Sequence, residues 1–121
     1  MKKLLTLIML AFLSFNLQGA TRNGHEVLLN CSMVMDTEKI NSPATLGSAS
    51  ECAGYLNGMN DTFILFQTMS ETQFYCLPEN GIETGQLIRV SVKWLEANPE
   101  VLHETFRSLF VSIMKNAFPC K

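Results

Sequence analysis

The stretch "FYCLPENGIETGQLIRVSVKWLEANPEVLH", Phe74 to His103, decides between a helical and a mixed fold. Ile88, Val90 and Val92 alternate with Arg89, Ser91 and Lys93, which is the period-two pattern of a half-buried strand over 87–93. Against this, Thr84 can cap a helix, and Trp94–Leu95 continue the apolar surface of Leu87, Ile88, Val90 and Val92 at 3.6-residue spacing. The helix is the stronger reading. Asn98-Pro99 then acts twice. Pro99 disfavours helical geometry at Asn98 and so ends that helix. Asn98 is also a good N-cap, Pro99 a natural first helical residue and Glu100 a first-turn acid, which predicts a fourth helix starting at once. Its apolar set is Val101, Leu102, Phe106, Leu109, Phe110, Ile113 and Ala117, and Pro119 stops it.

Working back towards the N-terminus, a first helix is predicted from Asn23 to Met35. Asn23 can cap it, and Val27, Leu28, Cys31 and Val34 recur at helical spacing. Residues 36–49 are polar or small, with Pro43 and Gly47, and read as a surface loop. A second helix is predicted from Ser50, with Cys52, Tyr55, Leu56, Met59, Phe63 and Phe66 in one stripe. Gly54 and Gly58 lie on an adjacent face, where each costs about 1 kcal/mol relative to alanine unless a backbone or ring passes close. The run Phe63-Ile64-Leu65-Phe66 implies burial on more than one side, as against a second copy of the protein. The fold class is therefore all-α, a small bundle of about four helices.

The first twenty residues read as a leader rather than as part of this bundle. Lys2 and Lys3 precede the apolar run Leu4 to Leu17, and the small residues Gly19 and Ala20 follow, as in a secretory signal peptide. The expected organisation is a signal peptide over 1–20 and one mature domain over 21–121. Of 9 Lys+Arg and 11 Asp+Glu, loss of Lys2 and Lys3 leaves 7 against 11, a net charge of −4. An acidic domain is a poor nucleic-acid ligand, because phosphate binding needs a basic face. No membrane association is expected once the leader is gone.

All four cysteines, Cys31, Cys52, Cys76 and Cys120, follow the leader, and an even count in an exported small domain reads as two disulfides. No C-x-x-C pair exists and His25 and His103 stand far apart, so zinc is disfavoured. Four cysteines allow three connectivities, among which the sequence alone does not choose. Cys31–Cys52 with Cys76–Cys120 is preferred, because Cys31 lies late in the first predicted helix and Cys52 opens the second, where an antiparallel pair would bring them together.

Catalytic signatures are missing. No G-x-S-x-G is present, and His103 in "HETF" lacks the second histidine of H-E-x-x-H. His25 and His103 read as solvated residues, and Glu51 and Asp61 have no histidine partner. Asn60-Asp61-Thr62 matches a glycosylation sequon but falls within a predicted helix. No catalytic residue, cofactor site or metal site is assigned, and the protein is expected not to be an enzyme.

The segments "ECAGYLNGMNDTF", "FYCLPENGIETGQLIRVSVKWLEANPEVLHE" and the terminal "AFPCK" resemble the Rap/Tai family of type VI secretion immunity proteins. The resemblance rests on Cys31, Cys52, Gly54, Tyr55, Gly58, Asp61, Cys76, Pro78, Gln86, Leu87, Trp94, Leu95, Pro99, Phe118, Pro119 and Cys120. A longer stretch between Cys31 and Cys52, and Tyr75 set directly before Cys76, depart from the family pattern. The resemblance implies a periplasmic, all-helical, often dimeric protein that binds and blocks a peptidoglycan-cleaving amidase. Partner contacts are expected on loops, over 36–49 and 79–83, with Glu79, Asn80 and Gly81 at a turn tip. The competing reading is a general periplasmic binding or chaperone-like protein with no dedicated toxin.

Overall fold

The computed structural model describes residues 21–121, and the leader expected over residues 1–20 lies outside them. Four α-helices make up the described fold: α1 (Gly24–Met35), α2 (Pro43–Ser70), α3 (Thr84–Ala97) and α4 (Phe106–Ala117). Short 3-10 turns occur at Thr37–Lys39 and Pro99–Val101. Residues 87–93 are helical. Leu87, Ile88, Ser91, Val92 and Leu95 are buried together, which is one face of a helix and not alternate positions of a strand.

α1 starts where its cap residues place it. The Asn23 side chain accepts from the Glu26 amide at 2.9 Å, and the Glu26 carboxylate accepts from the Asn23 amide at 3.1 Å. Its next free amides are taken by another part of the chain. Gly24 donates to the Glu104 carbonyl and His25 to the Leu102 carbonyl, both at 3.0 Å, while Phe106 donates back to the Arg22 carbonyl at 2.8 Å. Residues 102–104 are thereby held in a turn, and Thr105 is extended and bridged to Asn23.

That pairing corrects the start of the fourth helix. Asn98-Pro99 opens only a single 3-10 turn, and α4 begins at Phe106. A helix running on from Pro99 would forfeit the three hydrogen bonds between 102–106 and 22–25. Asn98 instead serves α3, donating its side-chain amide to the Trp94 carbonyl at 2.7 Å. The start of α3 also differs by one residue. Glu83 occupies the cap position without a side-chain bond. Thr84 is the first helical residue, and its hydroxyl pairs with the Asn57 amide group at 3.0 and 3.2 Å.

Most of the loop expected over 36–49 is helix. α2 begins at Pro43, well before Ser50, which is an exposed interior position. Ser42 is the cap: its hydroxyl accepts from the Thr45 amide at 3.3 Å, and the Thr45 hydroxyl accepts from the Ser42 amide at 3.1 Å. Pro43 acts as a helix starter, because the first helical residue needs no amide hydrogen. Its polar surroundings concealed that role. α2 therefore runs for 28 residues and ends at Glu71, which adopts the left-handed conformation at φ 54°.

α1, α2, α3 and α4 enclose one core in which Leu56, Leu95, Phe106, Phe110, Ile113 and Met114 have no exposed surface. Phe110 is its aromatic centre, stacked on Phe63 at 5.5 Å and in edge contact with Tyr75 at 6.3 Å. Two disulfides form, Cys31–Cys52 and Cys76–Cys120, as expected. Cys52 lies well inside α2 and not at its start, but α1 and α2 still bring the first pair to a Cα separation of 5.1 Å.

The connection from α2 to α3 has little regular structure, and α2 supplies its hydrogen bonds. The Gln67 side-chain oxygen accepts from the amides of both Phe74 and Tyr75. The Tyr75 hydroxyl donates to Asn60 Oδ1 at 3.1 Å inside the core. Asn60 is thus a buried structural residue within a helix. Burial pushes the Tyr75 phenol up to about 12, with Asp61 adding to the rise.

The glycines behave unlike the expectation for Gly54 and Gly58. Among the described residues, and apart from the helix's own backbone, no atom lies within 4 Å of a Cβ built at either position, so neither receives a close neighbour. The close approach is at Gly24, where a Cβ would lie 2.7 Å from Leu109 Cδ1 and 3.2 Å from the Leu102 backbone. Gly24→Ala should therefore cost about 1–3 kcal/mol by overpacking. Gly54→Ala and Gly58→Ala should each stabilise by about 0.5–1 kcal/mol. Urea denaturation at concentrations below any self-association distinguishes these signs.

Tyr75 also sets a pH dependence. Below pH 10 the phenol is protonated in both folded and unfolded chains, and its contribution to stability is complete. Between pH 10 and about 12 the unfolded chain ionises first, so stability falls across that window. Denaturation of wild type and Tyr75→Phe over that range should show a steeper loss in the wild type. Parallel curves would contradict the assignment.

Candidate functional site

The connection that α2 anchors carries the exposed turn Pro78–Gly81. The Gly81 amide donates to the Pro78 carbonyl at 2.8 Å, and Gly81 sits at φ 70°, a conformation that favours glycine. Glu79, Asn80 and Gly81 are all exposed at its tip, where the sequence placed them. The turn is tied down on both sides. On one, the Cys76 amide donates to the Phe118 carbonyl at 2.9 Å and the Cys76–Cys120 bridge follows. On the other, Thr84 is bonded to Asn57 of α2. A short turn held at both ends presents its side chains with little conformational entropy left to lose on binding.

The second region expected to contact a partner, 36–49, does not form a comparable loop. Its non-helical part is reduced to the Thr37–Lys39 turn and the residues beside it, where Lys39 pairs with Asp36 at 3.1 Å. The rest is the capped first part of α2.

An exposed apolar surface lies on the C-terminal half of α2. Ile64, Leu65, Phe66 and Met69 are exposed, Met69 to 77%. The sequence pointed to the run from Phe63 to Phe66, of which only Phe63 packs against the core, while Phe66 stacks on Phe74 at 5.9 Å. Met69 was missed, although it lies one helical turn after Leu65 and extends the same face.

The titratable groups do not converge. Among the described residues no group of three or more His, Cys, Asp and Glu side chains is placed to hold a metal ion. Glu51 pairs with Arg22, whose guanidinium lies 5.7 Å from the centre of the Tyr55 ring. Burial pushes the Tyr55 phenol up, against the pull of Arg22. His25, His103 and Asp61 are exposed. The four cysteines are all consumed in bridges. What the fold offers is an anchored turn and an apolar helix face on a braced scaffold.

A family model described as Rap1a immunity proteins matches residues 23–120. The chain belongs to the Rap1a immunity protein family. The match begins at the Asn23 cap of α1 and ends at Cys120, so the Rap1a unit includes all four helices and both bridges. No significant match is found among curated proteins or solved structures. In this Rap1a protein Tyr75, which departs from the expected pattern next to Cys76, is the residue that anchors the connection through its bond to Asn60.

Proposed function

We propose that this chain is a periplasmic immunity protein that binds and occludes a peptidoglycan-cleaving amidase effector of a type VI secretion system. The observation that carries this reading is the Rap1a match over residues 23–120. Two disulfides fit an oxidising compartment, and the sequence pattern of residues 1–20 fits export by a cleavable leader. Protection needs no chemistry from the immunity protein. It needs a rigid surface that fills or covers the enzyme's cleft. The turn bearing Glu79, Asn80 and Gly81 is the proposed contact, and the net charge of −4 would steer a basic effector.

The apolar face of Ile64, Leu65, Phe66 and Met69 is the proposed contact of a homodimer. The same face is the one feature that favours a chaperone-like protein, since a holdase needs exposed apolar surface. The two readings differ in their clients: one enzyme against many unfolded chains.

Cells directing the cognate amidase effector to the periplasm should lyse, and co-expression of this chain should rescue them and co-purify the enzyme. Absence of both rescue and a complex, together with suppression of light scattering by unrelated unfolded proteins, would overturn the immunity reading. The dimer has its own test. Light scattering after size exclusion should give twice the mass of one chain for the wild type and one chain for Leu65→Glu with Met69→Glu. A single-chain mass for the wild type would reject it.

A further inference from the structure

The two disulfides stand in opposite surroundings. Cys31 and Cys52 are 0% and 3% exposed, and they join the interiors of α1 and α2. A thiol can reach that bridge only when the two helices part. Cys120 is exposed and Cys76 partly so, and neither belongs to a helix. Exposed bridges are the ones that exchange with external thiols, whereas buried ones resist.

Little else holds the chain beyond α4. Pro119 has no amide hydrogen to donate. Among the described residues, one backbone hydrogen bond ties residues 118–121 to another segment, from the Cys76 amide to the Phe118 carbonyl at 2.9 Å. The Phe118 amide donates to the Met114 carbonyl and so stays with α4. Opening the bridge therefore frees a short segment and leaves four packed helices and Cys31–Cys52 in place, a local rather than a global opening. Two features would register it. Cys76 lies just before the turn Pro78–Gly81, and Phe118 lines a cleft together with Trp94, the chain's one tryptophan.

We propose that Cys76–Cys120 is a redox clasp, a site where a dithiol such as that of a thiol–disulfide oxidoreductase exchanges with the folded protein. The incoming thiolate attacks the exposed Cys120 Sγ, and Cys76 leaves as a thiolate that takes a proton from water. The second thiolate of the reagent attacks the mixed disulfide, and Cys120 leaves and is protonated in turn. Two electrons pass to the bridge, and the dithiol ends as its own disulfide. The turn then keeps its tie through Thr84 and Asn57 but loses the one through Cys76. The clasp does not rest on the immunity reading, and its test needs no effector.

The full mature chain is equilibrated in native buffer over a series of reduced-to-oxidised dithiothreitol ratios. It is then quenched with acid, alkylated and mapped by mass, while circular dichroism and tryptophan emission are followed. Cys76 and Cys120 should be alkylated together at a ratio at least about tenfold lower than Cys31 and Cys52. Helix content should hold through that first step, and Trp94 emission should shift with it. The double variant Cys76→Ser with Cys120→Ser should fold with Cys31–Cys52 closed and show the emission of the half-reduced wild type. Simultaneous opening of both bridges, helix loss in step with Cys76–Cys120, unchanged emission once it is open, or a double variant that does not fold would each overturn the proposal.

Discussion

The capture of Phe74 and Tyr75 by α2 is the constraint on which the rest of the structure depends. That segment leaves a long helix and must reach α3 with few regular hydrogen bonds of its own. Gln67 accepts two of its amides, and Asn60 accepts the Tyr75 hydroxyl in the core. With those groups satisfied, the Tyr75 ring can be buried against Phe110 at no polar cost. Cys76 is then delivered to the C-terminus, where it meets Cys120 and the Phe118 carbonyl. The turn Pro78–Gly81 follows from an anchored base, so the exposed tip and the second bridge share one origin.

This architecture suits a protein whose work is binding. Its hydrogen bonds and bridges brace the scaffold, and its titratable groups are dispersed over the surface. Membership of the Rap1a immunity family agrees with such a division. The family pattern falls largely on residues that build the frame: bridged cysteines, the proline opening the exposed turn and core positions such as Leu87 and Leu95. Residues such as Glu79 and Asn80 stand outside that frame, on surface that can change without disturbing the core.

Much of the frame was legible in the sequence. Even cysteine number, four periodic segments and the Asn23 cap carry their own physical meaning, and α1 and both bridges form as read. The misreadings have two causes: a local cap overlooked at Ser42 and Thr45, and local signals overridden by distant contacts. Pro43 looks like a breaker until Ser42 and Thr45 are seen to cap around it. Asn98-Pro99 looks like a helix start, but residues 102–105 are claimed by the first turn of α1. Gly54 and Gly58 looked like close-packing positions, whereas Gly24, unremarked within a cap, is the one pressed against Leu109 and Leu102. The Glu79–Gly81 tip was found because turn chemistry is local. Met69 was not, because which part of a helix stays exposed is decided only when helices pack.

The proposed function is that this Rap1a protein protects by occupying an amidase and not by altering it. The most direct measurement is a titration of the purified chain into the proposed amidase effector, following release of peptide from peptidoglycan. The account predicts a linear loss of activity that reaches zero at one chain per enzyme, with activity recovered when the complex is dissociated. Loss at a small fraction of that ratio that grows with time, or full activity at excess chain, would contradict it.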